Sequence, residues 1–99
     1  SLESIKTKAF YSTLSLKKIV IPDNVRIIEA EVFYDCCYLV EITLPASLTF
    51  IGASAFAGTV LKTVNYKGTQ AQCEALKANA NTNGYNEALT NLTPNYISN

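Results

Sequence analysis

The 99-residue sequence predicts an α/β fold that is mostly β, a solenoid of stacked units of about 23 residues closed by a short C-terminal helix. Three observations predict it. Apolar residues recur at equivalent positions, each unit contains a short alternating strand followed by a proline turn, and the last third of the chain loses the repeat and becomes rich in Ala, Gln and Asn. Repeats of this length are typical of folds in which each unit buries its apolar face against its neighbours.

The repeat is visible in two similar stretches, LKKIVIPDNVRIIEAEVF from Leu16 and LVEITLPASLTFIGASAF from Leu39. Equivalent residues lie 23 positions apart, and the next unit drops one residue. The apolar type is kept at most of these positions, which chance does not explain. The aligned sets are Leu2, Val25 and Leu48; Ile5, Ile28 and Ile51; Phe10, Phe33 and Phe56; Leu16, Leu39 and Leu61; Ile19, Ile42 and Val64; and Ile21, Leu44 and Tyr66.

Each unit opens with L-x-x-I-x-I-P, which predicts a short strand because its two isoleucine positions face the same side. Pro22 and Pro45 end the strands, where a missing N–H breaks no central ladder bond. The following PDN and PAS segments have turn chemistry. The residues equivalent to Val25, Ile28 and Phe33 then return to the interior from the opposite side. We therefore expect stacked strands ~4.8 Å apart and a column of phenylalanines.

The end of the chain predicts a cap over the last repeat. Thr69, after Gly68, is a suitable N-cap for a helix over about 69–78, with Cys73 and Leu76 on its buried face. A polar loop over 79–86 should follow, and then a terminal strand. The apolar residues available to cover the last repeat are Leu89, Leu92, Tyr96 and Ile97.

We expect two regions, repeats at 1–67 and a cap at 68–99. The repeats make about three units, of which the first is truncated, because Ser1 corresponds to Asn24 in the middle of a unit. This phase predicts further repeats upstream in the parent protein, stacked on the same apolar ladder.

Composition argues against several classes of function. Eight basic and eight acidic residues balance, which disfavours nucleic acid or an anionic membrane surface as a partner. No apolar run approaches the ~18 residues of a membrane span. The chain has no histidine, the commonest general base and metal ligand. We therefore expect no cofactor, no metal site and no catalytic residues.

The cysteines are Cys36, Cys37 and Cys73. An odd number with one adjacent pair is not a disulfide framework and lacks the ligand spacing of a zinc site. We interpret Cys36 and Cys73 as buried fillers and Cys37 as more exposed, and pairing of Cys37 with Cys73 stays open. The carboxylates that could support acid–base chemistry are better explained as solvated surface groups; they are Glu29, Glu31, Asp35 and Glu41.

The unit resembles the BspA-like leucine-rich repeats, whose pattern is L-x-x-I-x-I-P-x-S-V-x-x-I-G-x-x-A-F-x-x-C. The stretch from Leu39 matches nearly throughout, and Cys36 occupies the cysteine position. The segment YKGTQAQCEAL resembles the end segment of such proteins, with Cys73 where a tryptophan is usual. The resemblance implies a right-handed superhelix in a secreted or cell-surface protein, bacterial in most members, with adhesion-type partners such as host extracellular proteins.

The outward side chains of the strands are the candidate protein-binding surface, because solenoids typically bind through an extended sheet. We call these six residues the outward strip; they are Lys18, Val20, Glu41, Thr43, Thr63 and Asn65. Tyr34 and Tyr38 precede the strand and could be interface aromatics or packed against neighbouring turns. The alternatives are a structural spacer and cap without a ligand and, more distantly, an enzyme.

Overall fold

The computed structural model describes residues 4–7, 9–13 and 15–97, so Ser1 and Leu2 of the predicted repeat lie outside the described residues. Short strands alternate with turns through the repeats, and helices follow only after the last repeat. The elements are β1 (Ser4–Ile5), β2 (Lys18–Val20), β3 (Ile27–Ile28), β4 (Glu41–Leu44), β5 (Phe50–Ile51), β6 (Thr63–Tyr66), α1 (Gln70–Asn83), α2 (Glu87–Thr90) and β7 (Asn95–Tyr96).

The strands form two parallel sheets on opposite sides of the repeats. The larger has the order β2-β4-β6-β7, and its first three strands are the predicted L-x-x-I-x-I segments. Ile19 pairs with Ile42, and Ile42 pairs with Val64, so the register follows the sequence repeat through the unit that drops one residue. The predicted strands and their alignment are confirmed.

The smaller sheet, with the order β1-β3-β5, was not predicted as a sheet. Its strands are two residues long, and each has one buried residue. The buried residues are Ile5, Ile28 and Ile51, the set that was expected to return to the interior. Ile27 aligns with Phe50, and both are exposed on the outer side. Two residues carry too short an alternation to be recognised as a strand in a sequence.

The core is a set of columns that run between the two sheets. The rings of Phe10 and Phe33 stack at 5.3 Å with an interplanar angle of 5°, and those of Phe33 and Phe56 stack at 5.3 Å and 15°. Phe33 and Phe56 are completely buried, whereas Phe10 is half-buried. The predicted phenylalanine column is confirmed, and each ring depends on the repeat beside it for burial.

A left-handed backbone conformation recurs where the chain turns toward the larger sheet. Ser12, Asp35 and Gly58 have φ angles of 54°, 60° and 80°, respectively, and occupy equivalent positions. A Cβ added to Gly58 would lie 3.0 Å from the Cα of Asp35, so the turns stack closely here. The sequence meets this backbone requirement with a small or hydrogen-bonding residue in each unit.

The cap helix begins as predicted and ends later than predicted. The Thr69 side chain accepts a hydrogen bond from the backbone N–H of Gln72, and the Gln72 side chain accepts one from the N–H of Thr69, a reciprocal capping box. The helix was expected to end near residue 78 before a polar loop, but α1 continues to Asn83. The reason is tertiary, because the asparagines of its last turns bind the sheet edge.

Asparagine side chains occupy the positions at β5 that a further repeat would fill. One repeat earlier, the carbonyl of Ile28 accepts from the N–H of Gly52 at 2.8 Å. The equivalent carbonyl of Ile51 accepts from Nδ2 of Asn83 at 2.7 Å, and the N–H of Ile51 donates to Oδ1 of Asn79 at 2.8 Å. These amides replace the backbone of a next strand.

Asn86 completes this closure from a fully buried position. Its Oδ1 accepts from the N–H of Phe56 at 3.1 Å, and its Nδ2 donates to the carbonyls of Gly52 and Ala80, each at 3.0 Å. The backbone carbonyl of Gly84 accepts from Ser54 at 2.9 Å in the same row. The smaller sheet therefore ends on side-chain and loop groups.

Candidate protein-binding surface

The parallel register places all six residues of the outward strip on the larger sheet. Lys18 lies beside Glu41, and Glu41 lies beside Thr63. One alternation further along the strands, a second row is formed by Val20, Thr43 and Asn65. The structure thus brings together the residues that the sequence nominated, since residues two apart on a strand share a face.

Polar contacts cross the strands within the strip. Nζ of Lys18 lies 3.9 Å from Oε1 of Glu41. Nδ2 of Asn65 lies 3.2 Å from Oε2 of Glu41 and 3.4 Å from Oγ1 of Thr43, so it donates to both neighbours. Four of the six strip residues are therefore connected by polar contacts across the three strands.

Exposure is uneven along the strip. Val20 is 63% exposed, whereas Thr43 is only 8% exposed and offers little more than its hydroxyl. Lys18 extends into solvent, and Glu41, Thr63 and Asn65 are partly covered by their neighbours. A partner would meet a shallow surface with an apolar residue at one end and hydrogen-bonding groups along the rest.

The terminal strand extends the strip by a residue that the sequence did not nominate. Asn95 on β7 aligns with Asn65, and its Nδ2 donates to Oδ1 of Asn65 at 3.3 Å. The terminal strand was predicted, but its register was not, because β7 lies outside the repeat. The pairing of β7 with β6 is what shows that Asn95 lies on the side of the strip.

The side of the larger sheet where its strands begin carries exposed apolar residues. Tyr38 is 55% exposed, and Val60, one repeat later, is 45% exposed. Tyr34 belongs partly to the scaffold, because its ring stacks on that of Tyr11 at 5.2 Å with an interplanar angle of 9°. Of the two tyrosines considered from the sequence, Tyr38 is therefore the one presented to solvent.

The candidate acid–base carboxylates do not converge. Glu29 accepts hydrogen bonds from the N–H and hydroxyl of Thr7 at 3.0 and 3.1 Å on the smaller sheet. The backbone hydrogen bond from Thr7 is the largest of the effects that lower the pKa of Glu29. Asp35 instead contacts the Ser12 hydroxyl at 3.4 Å, and Glu41 belongs to the strip. Each of these three carboxylates thus connects neighbouring repeats.

The three thiols are free, with Cys36 and Cys73 buried and Cys37 exposed. Sγ of Cys36 lies 2.9 Å from the carbonyl of Phe10, to which it donates. Burial raises the pKa of the Cys36 thiol, so this donor keeps its proton. Thr59, at the equivalent position, donates through its hydroxyl to the carbonyl of Phe56 at 2.8 Å. Cys36 is buried as predicted and Thr59 is half-buried, so the position holds a small hydrogen-bond donor in both repeats.

No group of three metal-binding side chains occurs among residues 4–7, 9–13 and 15–97. Over the same residues, no helix combines the length and apolar character needed to cross a bilayer.

Comparison with known proteins identifies one family. The model of the BspA type leucine rich repeat region matches residues 1–94. Searches of the curated proteins and of the solved structures return no significant match. Repeats of this type are generally protein-interaction or adhesion modules without catalytic activity. The match covers nearly the whole chain, the stacked parallel strands follow its repeat, and the chain therefore belongs to the BspA-type leucine-rich-repeat family.

Proposed function

We propose that this chain is a non-catalytic protein-recognition or adhesion module that binds a protein ligand through the outward strip. The repeats would form a right-handed solenoid in a secreted or cell-surface protein, with the region up to residue 67 providing the surface and residues 68–99 closing it. The observation that carries the proposal is the cross-strand network in which Asn65 donates to both Glu41 and Thr43.

Preorganisation is the physical advantage of this network. Ordering a long polar side chain during binding costs about 0.5–1.5 kcal/mol, and side chains that are already oriented avoid much of that cost. The amide of Asn65 is held from both sides, by Glu41 and by Asn95. A ligand would dock with little conformational change, and its specificity would come from matching fixed donors and acceptors. Host extracellular or cell-surface proteins are the partner class that the family suggests.

A purely structural role is the second candidate, and one observation favours it. The main polar groups of the strip already satisfy one another, and Thr43 is nearly buried. A surface of this kind can stabilise a stack of repeats without a ligand. In that case the chain would be a spacer and cap, and the activity of the parent protein would lie elsewhere.

A binding screen separates the two functions. The chain, alone and joined to its natural upstream sequence, is immobilised and tested against extracellular-matrix proteins, glycans and cell surfaces. The diagnostic variant exchanges charges on the strip, Lys18→Glu with Glu41→Lys. The matched control exchanges the ion pair of the smaller sheet, Lys6→Glu with Glu29→Lys, whose charges lie 3.5 Å apart in the native protein.

The proposal expects saturable binding that the strip exchange abolishes and the control exchange preserves. Both exchanges keep the net charge at zero, so a nonspecific charge effect would weaken both variants alike. Saturable binding that survives the strip exchange would place recognition elsewhere, and absence of binding by either chain would favour the spacer.

A further inference from the structure

We propose that the edge of the larger sheet where the strands begin binds an acidic, extended protein segment with an apolar residue between two carboxylates. This inference rests on the proposed recognition function and names the chemistry of its partner. The surface, here called the entry patch, consists of Lys17, Tyr38, Val40, Val60 and Lys62.

The spacing of the two lysines is set by the backbone. The N–H of Val40 donates to the carbonyl of Lys17 at 2.9 Å, and the N–H of Lys62 donates to the carbonyl of Val40 at 2.8 Å. The three residues therefore lie on consecutive chains across the sheet. Two steps of ~4.8 Å separate the backbone positions of the lysines by about 10 Å.

The positive charge of the entry patch is not neutralised within the described part of the chain. Lys17 and Lys62 are exposed, and the described ion pairs involve other residues. Glu41, the acidic residue of the adjacent strip, already contacts Lys18 and Asn65. The chain as a whole has no net charge, so the attraction is local and short in range.

Apolar surface lies beside and between these charges. Tyr38 and Val60 occupy equivalent positions of consecutive repeats and are both exposed, and Val40 is half-buried between the two lysines. Exposed apolar residues grouped in this way are a feature of interfaces, whereas single ones are normal on any surface. Tyrosine is enriched at protein interfaces because it combines a large apolar area with few rotatable bonds.

These features fit a peptide better than an anionic glycan. Side chains of an extended segment alternate in direction and advance ~3.3 Å per residue, so carboxylates four residues apart and the residue midway between them face the same side. The two carboxylates span about 13 Å, within reach of the long side chains of two lysines whose backbones lie about 10 Å apart. An apolar side chain between them would cover Val40 and Tyr38. A sulfated glycan would satisfy the charges but would leave these apolar side chains without a complementary group.

The test is a selection of random linear peptides displayed on phage, followed by affinity measurement with the enriched peptides and with heparin. The diagnostic variant is Lys17→Gln with Lys62→Gln, and the matched control is Lys6→Gln with Arg26→Gln, which removes the same charge from the smaller sheet. A third variant, Tyr38→Ala, tests the apolar contact. Circular dichroism confirms that each variant is folded.

The proposal expects enriched peptides with two acidic residues four positions apart and an apolar residue midway between them. Their affinity should fall about tenfold in the diagnostic variant and stay unchanged in the control. It should also weaken at high salt and in the tyrosine variant.

The other outcomes overturn the inference separately from the proposed function. Enriched peptides that are neutral or basic, or that bind the diagnostic variant equally well, would exclude the entry patch while leaving recognition by the outward strip intact. Heparin binding that depends on Lys17 and Lys62, without enrichment of acidic peptides, would show that the partner is a glycan. Absence of any enriched peptide would overturn this inference alone, because recognition by the outward strip is tested by the screen against extracellular-matrix proteins, glycans and cell surfaces.

Discussion

The two sheets of this protein are closed in different ways at the same end of the stack. The larger sheet ends on β7, whose backbone pairs with β6 and places the N–H of Ile97 2.8 Å from the carbonyl of Tyr66. The smaller sheet ends on the amides of Asn79 and Asn83 and on the buried Asn86. One edge is met by another strand, and the other is met by a helix and a loop.

The comparison shows that a sheet edge needs particular donors and acceptors but not a strand. A side-chain amide offers an N–H donor and a carbonyl acceptor, the same groups as a peptide bond. Asparagine can therefore satisfy a buried backbone edge from a helix, and it also denies that edge to another chain. The two closures differ in their sensitivity to mutation. A single substitution can remove an asparagine amide, whereas the backbone of a strand remains after a side chain is replaced.

The largest expected effect comes from a substitution in the core that both closures cover. Phe33→Ala should lower the free energy of unfolding by ~3–5 kcal/mol, because it opens a cavity in the middle of the phenylalanine column. A urea titration followed by circular dichroism measures it, with Tyr38→Ala as the exposed aromatic control. A loss below about 1 kcal/mol would mean that the repeats do not depend on one continuous core.

Asn86→Ala should have the next largest effect and should act on the smaller sheet. It leaves the N–H of Phe56 without its partner in a fully buried place, whereas the carbonyls of Gly52 and Ala80 each keep one backbone donor. We expect a loss of about 1–3 kcal/mol, the cost of one buried donor left without an acceptor.

The matched control for this variant is Asn81→Ala, at an exposed position of α1. It should change stability by less than about 0.5 kcal/mol, or raise it slightly, because alanine favours helix. Amide hydrogen exchange separates the mechanisms, since the Phe56 amide should exchange faster in Asn86→Ala alone. Equal stability of the two variants would show that the amide does not close the edge.

The backbone closure should be less sensitive to single changes. Ile97→Pro removes the N–H that bonds Tyr66 and should cost about 0.5–1.5 kcal/mol, because the position is exposed and water can replace the lost donor. Ile97→Ala keeps that N–H and serves as the control for the lost side chain. Thermal melts of the pair measure the difference, and a cost above that of Asn86→Ala would reverse the ranking of the two closures.

The register and core columns of the repeats could be predicted from the sequence, whereas the extent and contacts of the single-copy cap could not. The Ile19–Ile42–Val64 register and the phenylalanine column follow from residues repeated in phase. The extension of α1 to Asn83 and the short helix α2 lie outside the repeat, where asparagine disfavours helix and only its tertiary partners stabilise it. An amide-rich segment after a repeat array is the signal that would have suggested edge closure.

For the candidate surface, too, the repeating pattern could be predicted and the side-chain contacts could not. Strand alternation placed the six residues of the outward strip on one face, but it carried no information about how they contact one another. The near-burial of Thr43 and the participation of Asn95 depend on which side chains lean across neighbouring strands. Of the exposed pair, Tyr38 was considered from the sequence as an interface residue, whereas Val60, its equivalent one repeat later, was not.

The smallest expected effect concerns the opposite edge of the smaller sheet, which again relies on a side chain. Glu29 accepts from the N–H and hydroxyl of Thr7 and lies 3.5 Å from Nζ of Lys6, so it joins β1 to β3. The hydrogen bond from Thr7 lowers the pKa of Glu29 below its ordinary value of 4.5. The ionised carboxylate therefore stabilises the fold above that value, and the stabilisation is lost as the pH falls through the lowered pKa.

Glu29→Gln should accordingly destabilise the protein slightly at neutral pH and make its stability less dependent on pH in the acidic range. Urea titrations of the variant and the native protein, on both sides of the ordinary glutamate pKa, measure this difference. Glu87→Gln, at an exposed position of α2, is the control for loss of a carboxylate far from β1. Parallel pH profiles of the native protein and Glu29→Gln would mean that the carboxylate does not stabilise this edge and that the backbone pairing of β1 with β3 is sufficient.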